Sequence, residues 1–210
     1  MKARAILMTV ALVLSSQASS QTTLSDPDQV ANDIFWNRLY QDGGKTFFCQ
    51  EPFNGKSFLL SVGYIYPLSH VRNALHCGSP TQCERESDAY RYIASDLHNM
   101  IPVETQVEMR RRNAKYAQLD ERVSANECGI RESLQNIEPP DAVKGDVARG
   151  VAYMVQTYDL PLIASPQVLA SWNESDPPDD QELARNRRIS EIQGSDNPFI
   201  SHPERLDGNI

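Results

Sequence analysis

Residues 66–83 read YPLSHVRNALHCGSPTQC, and this stretch, with its neighbours, carries the clearest indication of the fold. The run before it, KSFLLSVGYIYPL at residues 56–68, is β-branched and aromatic, which predicts a strand leading directly into Ser69 and His70. Two polar stretches follow, SDLHN at residues 95–99 and VEMRRRN at residues 107–113. We therefore expect a histidine at the end of a strand, a connection, and a helix that offers a carboxylate.

The other segments predict helices around this unit. A first helix is expected within residues 25–44, capped by Asp26 or Asp28, followed by a short strand at residues 45–49. Residues 124–140 are expected to be irregular with some extended structure. Further helices are predicted within residues 86–102, 103–119, 140–160, 165–176 and 176–194. Helix, then strands, then several helices indicates an α+β fold, and the length suits one domain.

Residues 1–20 predict a secretory signal peptide, which leaves residues 21–210 as a single domain. Lys2 and Arg4 precede the run AILMTVALVL, which is shorter than the roughly 20 apolar residues of a membrane span, and small polar residues follow. A membrane anchor is the alternative reading of this segment. Removing Lys2 and Arg4 takes the net charge from -8 to -10, so nucleic acid could bind only at a local basic patch.

Four cysteines remain for the mature chain: Cys49, Cys77, Cys83 and Cys128. An even number in an exported protein favours disulfides. Cys77 and Cys83 are close enough to close a small loop, which would leave Cys49 and Cys128 to close a long one. A zinc site is the rival interpretation, but the spacings contain no CxxC pair.

The polar stretches suit phosphodiester hydrolysis, which needs an activated water and neutralisation of the charge on the phosphorane. A neutral imidazole such as that of His70 can take a proton from water, since its free pKa is about 6.5. A Mg²⁺ ion held by one or two protein oxygens keeps positions for phosphate oxygens and water. A lone histidine after a strand is, however, more often structural, and an arginine run usually lies on a solvated helix face.

Several longer stretches occur together in one order: FWNRLYQDGGKTFFC, SHV, SDLHNMIP, RRRNAKY, EPPDAVKGDVARGVAYM and ELARNRRISEIQGSDNPFI. In this combination the chain resembles the secreted and periplasmic endonuclease I family, from about Phe35 to Pro203. The resemblance implies a ββα-metal (His-Me finger) core surrounded by helices. It also implies a periplasmic or secreted, metal-dependent endonuclease that cuts DNA, and RNA as well, with little sequence preference. We expect a monomer that does not associate with a membrane once the signal is removed.

The resemblance implies roles for three residues. His70 matches the family's general base. The family has a glutamate ligand just before that histidine, where this chain has Ser69. Its asparagine ligand, nine residues after the asparagine of DLHN, is Glu108 here. We interpret this as an exchange in which Glu108 gives the anionic oxygen and Ser69 the neutral one, directly or through water, to Mg²⁺ (or Mn²⁺ or Ca²⁺). The alternative is a decayed, inactive site.

The residues that would hold the substrate differ from the family pattern, because the family's phosphate-binding arginine between the two cysteines after the base is absent from GSPTQ here. Arg72, Arg85 and Arg91 are candidates to replace it. Residues 110–112 and Lys115 make one side of the predicted helix positive, so contacts with nucleic acid are predicted for Arg111 and Arg112. The cluster ARNRR at residues 184–188 is a second basic stretch.

Two asparagines are predicted to support the site without touching substrate, Asn99 and Asn113. A glutamate that the family often carries five residues before the asparagine of DLHN is Ala94 in this chain. Three classes of function stay open at this point. They are a metal-dependent nuclease, a catalytically inactive nucleic-acid-binding member of the same fold, and a disulfide-stapled interaction protein.

Overall fold

The computed structural model describes residues 20–206. The predicted signal peptide therefore lies, except for Ser20, outside the described residues. A short helix α1 (Pro27–Gln29) capped by Asp26 continues into a π-helical stretch, Val30–Leu39. The other helices in chain order are α2 (Leu68–Leu75), α3 (Pro80–Glu86), α4 (Asp88–Ala94), α5 (Thr105–Arg111), α6 (Lys144–Tyr158), α7 (Pro166–Ser175), α8 (Asp180–Gln193) and α9 (Pro198–Ser201), with 3₁₀ turns at Asp141–Val143 and Pro203–Leu206.

The strands form three small sheets. They are β1 (Gly44–Lys45), β2 (Pro52–Phe53), β3 (Leu60–Tyr64), β4 (Met100–Glu104), β5 (Lys115–Tyr116), β6 (Arg131–Glu132) and β7 (Asn136–Glu138). Strands β1 and β2 pair antiparallel, as do β3 and β4, whose register runs from Leu60↔Glu104 to Tyr64↔Met100. The third sheet has the order β5-β7-β6, with β5 parallel to β7. Helix α5 follows β4 without a connecting residue, so β3, β4 and α5 form one unit with α+β character.

Helix α6 lies at the centre of the main core. Its buried face runs through Val147, Val151 and Met154, at the spacing that one face of a helix requires. Gly150 lets the helix approach the segment after β3, because a Cβ at that position would lie 2.7 Å from Ile65 Cδ1. The core therefore fixes the place where the chain leaves β3 and turns towards α2.

Three of the sequence-based element predictions are wrong in their extent, and two of them concern the neighbourhood of His70. Strand β3 ends at Tyr64, and His70 lies in the first turn of helix α2 rather than at the end of a strand. The reason is Pro67, whose φ of -60° and ψ of 133° place it as the residue before the helix. The helix predicted over residues 103–119 is only α5, because residues 100–104 pair with β3 and residues 115–116 pair with β7.

Both predicted disulfides are present, Cys49–Cys128 and Cys77–Cys83, and they confirm the pairing expected from the spacing. The strand predicted at residues 45–49 is limited to Gly44–Lys45. Within residues 20–206, none of the helices combines the length and the apolar character that crossing a bilayer requires.

Candidate active site

His70 is positioned by the turn that connects β3 to α2. The side-chain amide of Asn99 holds this turn in two places: its Oδ1 accepts from the Tyr66 backbone N–H at 2.6 Å, and its Nδ2 donates to the Tyr66 carbonyl at 3.0 Å. Asn99 is fully buried. Because both backbone groups of Tyr66 are fixed, the start of α2, two residues later, is fixed as well.

The imidazole of His70 is oriented by the backbone of a second segment. Its Nε2 lies 2.9 Å from the carbonyl oxygen of Asn113. A carbonyl can only accept, so Nε2 carries the proton and the neutral ring has its lone pair at Nδ1. Burial lowers the pKa of His70, and the positive charges of Lys115 and Arg111 lower it further, while the Asn113 hydrogen bond acts in the opposite direction. The ring is thus held in the form that can accept a proton.

The Asn113 carbonyl is presented by an unusual turn at the end of α5. Arg112 has φ 47° and ψ -112°, a conformation that residues other than glycine rarely adopt and that costs about 1–3 kcal/mol. Its backbone N–H donates to the Glu108 carbonyl, which closes the helix. The predicted supporting role of Asn113 therefore corresponds to a contact of its backbone, since its side chain is exposed.

Glu108 lies on α5 and forms an ion pair with a buried cation. Arg111 Nη2 donates to both carboxylate oxygens at 3.0 Å, and its Nε donates to Oε2 at 3.2 Å. The Glu108 side chain is 25% exposed, whereas that of Arg111 is 1% exposed. Gly63 in β3 makes room for the carboxylate, because a Cβ there would lie 2.8 Å from Glu108 Oε2.

Arg111 ties α5 to the strand that precedes the histidine. Its Nη2 donates to the Tyr64 carbonyl at 2.6 Å, and its Nη1 donates to the Tyr116 hydroxyl at 3.4 Å. The Tyr116 hydroxyl in turn donates to the Ile65 carbonyl at 2.8 Å. A contact of Arg111 with nucleic acid, expected from the sequence, would require the guanidinium to leave these partners.

Two surface cavities meet at His70. One, of about 420 Å³, is lined by residues 110–115 and by the β6–β7 turn at residues 132–135; we call it the arginine cavity. The other, of about 400 Å³, is lined by Tyr66, Asn73 and His76 with residues 159 and 161–163; we call it the tyrosine cavity. Glu108 lines neither of them. The structure thus places His70 and Arg112 together in one cavity and Glu108 outside it.

The arginines expected to replace the missing phosphate ligand are engaged elsewhere. Arg85 pairs with Glu86, and Arg91 pairs with Asp88 and donates to the Glu84 carbonyl. The guanidinium of Arg72 lies near the Tyr90 hydroxyl, where it opposes the larger effect of burial, which raises the pKa of Tyr90. In the second basic stretch, Arg185 donates to the carbonyls of Leu97 and Met100 and so holds α8 against the segment before β4.

Lys115 and Arg110 stand out in the structure although the sequence suggested for them only a positive helix face. Both line the arginine cavity with His70. Their position beside His70 depends on the turn after α5 and on the pairing of β5 with β7. No local pattern in the sequence indicates either feature. Leu134, at the tip of the β6–β7 turn, is fully exposed on the rim of the same cavity.

The oxygen donors that the sequence predicts for a divalent cation are those of Glu108 and Ser69. Within residues 20–206, no cluster of three or more His, Cys, Asp or Glu side chains suited to a metal ion occurs. A carboxylate offers about four lone-pair sites for hydrogen bonds or metal ions. Arg111 donates three hydrogen bonds to the carboxylate of Glu108, so the part of this carboxylate that faces solvent is left for a cation. Ser69 is partly buried in the first turn of α2. The carboxylate of Glu108 by itself suits a Mg²⁺ ion that completes its shell with water, although the guanidinium of Arg111 should weaken the binding of the ion.

Comparisons with known proteins identify the family of the chain. The model of the family described as endonuclease I matches residues 15–204. An extracellular deoxyribonuclease of Aeromonas hydrophila is 31% identical over 194 residues, covering 78% of this chain and 85% of the relative. A periplasmic deoxyribonuclease of the same organism is 31% identical over 193 residues, covering 78% and 81%. An extracellular ribonuclease of Bacillus subtilis is 34% identical over 132 residues, covering 54% and 46%. The chain belongs to the endonuclease I family.

Proposed function

We propose that the protein is an exported, metal-dependent endonuclease that hydrolyses DNA, and RNA as well, with His70 as the general base. Membership of the endonuclease I family makes the chain a nuclease. We take β3, β4 and α5 as its ββα-metal core, with His70 contributed by the helix between the two strands. The observation that carries the proposal is the hydrogen bond of 2.9 Å between His70 Nε2 and the Asn113 carbonyl.

That hydrogen bond supports Nδ1 of His70 as the reacting atom. With Nε2 protonated and bonded to the backbone, Nδ1 is the atom that takes the proton from the attacking water. The resulting imidazolium keeps its bond to the Asn113 carbonyl, which favours the charged form as it develops. Asn99 contributes by fixing the turn before α2, so that the ring is held in one place.

Glu108 and Ser69 are the residues that would hold the cation. Nucleases of this family generally depend on a divalent metal. When bound, such an ion supplies neutralisation of the charge on the phosphorane and an acidic water for the departing 3′ oxygen. Mg²⁺ suits a set of one carboxylate and one hydroxyl, with Mn²⁺ or Ca²⁺ as possible substitutes.

The substrate is proposed from the charges around His70 and from the relatives. Arg110, Arg112 and Lys115 give the arginine cavity a local positive charge in a chain whose net charge is -8. Contacts with phosphate carry no information on base sequence, so cleavage should show little sequence preference and should decline as salt rises. The relatives are named as deoxyribonucleases and as a ribonuclease, which supports activity on both polymers.

The site of action follows from the same relatives. They are named as extracellular or periplasmic, and the two disulfides among residues 20–206 agree with an oxidising compartment. The protein therefore acts outside the cytoplasm.

Nicking of a supercoiled plasmid tests the proposed function. The wild-type protein should cut in Mg²⁺ and stop cutting in EDTA, and His70→Ala should lose activity while remaining folded. His202→Ala is the matched control, because His202 is exposed and its partner is Glu204. Activity that survives in His70→Ala would remove the histidine from the mechanism.

A catalytically inactive nucleic-acid binder is the second candidate, and the Glu108–Arg111 ion pair favours it. If the guanidinium held the carboxylate permanently, a cation could not bind there. In that case a gel shift with DNA would persist in EDTA, and no cleavage would appear in Mg²⁺, Mn²⁺ or Ca²⁺.

A further inference from the structure

Lys115 occupies the boundary between the two cavities at His70. Of the described residues that line these cavities, His70 and Lys115 are the ones common to both. Lys115 is exposed, and it lies two residues after Asn113, whose carbonyl holds the imidazole.

The position of Lys115 is fixed by its backbone. Its N–H donates to the Gln135 carbonyl at 2.9 Å, and its register partner in β7 is Asn136. The next residue, Tyr116, is buried, so the strand is anchored on its inner side. Lys115 therefore lies on a strand whose backbone is fixed by hydrogen bonds and by a buried neighbouring residue.

Among residues 20–206, Lys115 has no carboxylate within ion-pair distance. The acidic residues that line the same cavities, Glu132 and Asp159, are not paired with it. The other cationic side chains near His70 either have a partner of their own or line only one of the two cavities. Arg111 is held by Glu108, Arg112 Nε donates to the Met109 carbonyl, and Arg110 lines only the arginine cavity of the two.

We infer that Lys115 is a catalytic residue whose ammonium contacts a non-bridging oxygen of the scissile phosphate, and that the nucleic-acid strand crosses between the two cavities at the His70–Lys115 pair. This inference rests on the proposed nuclease function. It gives the chain a substitute for the arginine that the segment between Cys77 and Cys83 lacks. A single ammonium binds phosphate as a point charge, which suits a contact that must accept any sequence.

The test compares Lys115→Gln with Lys115→Arg and with the control Lys56→Gln. Lys56 is exposed, and its Nζ donates to Asn32 Oδ1, away from both cavities. Cleavage of a fluorescent DNA duplex in Mg²⁺ should show kcat reduced by about 100-fold in Lys115→Gln, with a smaller change in KM. Lys115→Arg should retain at least a tenth of the activity, and Lys56→Gln should match the wild type. Equal losses in Lys115→Gln and Lys56→Gln, or none in Lys115→Gln, would overturn the inference.

Binding of uncut DNA separates this inference from the proposed function. In a His70→Ala background, the plot of log affinity against log salt should lose about 0.9 from its slope when Lys115→Gln is added, as expected for one phosphate contact. If the slope does not change while the wild-type enzyme cuts DNA, the inference on Lys115 is wrong and the proposed function stands. A wild-type protein that cuts nothing defeats the proposed function, and the slope then still decides whether Lys115 contacts phosphate.

Discussion

Replacing Glu108 with glutamine tests the proposed metal ligand with little change in shape. The substitution removes the negative charge but keeps one acceptor oxygen for Arg111. If Glu108 supplies the anionic oxygen, the variant should bind a divalent cation poorly and cut DNA slowly. The same change also alters the surroundings of a buried arginine, so the loss of stability must be considered first.

The loss of stability can be worked out from the ion pair. Arg111 Nη2 lies 3.0 Å from both carboxylate oxygens of Glu108, and two unit charges about 4 Å apart attract by about 4 kcal/mol at an effective dielectric constant of about 20. Glu108 is 25% exposed, and the glutamine oxygen still accepts one hydrogen bond, so the expected loss is smaller. We expect the free energy of unfolding to fall by about 1–3 kcal/mol, which leaves the variant folded.

The assay combines denaturation with cleavage. In Mg²⁺ at about ten times its dissociation constant, the wild-type protein should gain about 1.4 kcal/mol in unfolding free energy, and Glu108→Gln should gain almost none. Cleavage of DNA at the same Mg²⁺ concentration should fall by about 100-fold. Glu121→Gln, at an exposed position, is the matched control and should behave as the wild type. Undiminished cleavage together with unchanged stabilisation by Mg²⁺ would show that Glu108 is no ligand.

The remaining predictions concern stability. Asn99→Ala leaves the N–H and carbonyl of Tyr66 without partners, so unfolding experiments should show a loss of about 3 kcal/mol; a loss below about 1 kcal/mol would contradict the role given to this amide. Burial, with the charge of Glu182, raises the pKa of Asp146 to about 8, so the folded state binds its proton more tightly and stability should decline as pH rises from about 4 to about 8. Asp146→Asn should remove that decline and be more stable than the wild type at about pH 9, by about 1–2 kcal/mol in urea titrations; equal curves at both ends of the range would refute this. Replacing Cys49 and Cys128 by serine opens a loop with a sequence separation of 79, and chemical denaturation should show a loss of about 4 kcal/mol, whereas a loss near zero would mean that the unfolded chain is not restrained by this bond.

Local signals predicted where α1, α6, α7 and α8 occur, but they did not predict α2 and α3. Asp26, one of the two caps that the sequence offered, caps α1. In the same way Asp179 caps α8, and Gly194 ends that helix with a φ of 84°. Their success has a simple cause, since capping depends on residues a few positions apart. The tertiary pairings have no such signal. The short length of α5 reflects the pairing of residues 115–116 with β7, which is set by residues more than twenty positions later.

The stretches that carried the family resemblance are largely a buried polar framework. Arg149 bonds to Glu182 in α8, with Nε to Oε1 at 2.9 Å, and Glu138 bonds to Lys144 at 2.7 Å. Buried polar groups need specific partners, so such stretches keep a recognisable pattern of residue types. These stretches indicate the family, but they do not indicate which side chains take part in catalysis. The three consecutive arginines illustrate the limit, because Arg111 is buried while its neighbours on either side are exposed, and only tertiary contacts distinguish them.

If Ser69 and Glu108 have exchanged their roles as we propose, the charge around His70 changes as well as the place of the anionic ligand. A carboxylate immediately before His70, as the family usually has, would favour the imidazolium. Here that neighbour is a neutral hydroxyl, and the charges that act on the ring, those of Lys115 and Arg111, favour the neutral form that accepts a proton. The carboxylate on α5 is at the same time partly neutralised by Arg111, which weakens its hold on a cation. A site with the proposed base and a metal held this weakly would need a fixed positive charge beside the phosphate, and Lys115, which lines both cavities at His70, is the residue that we propose for it.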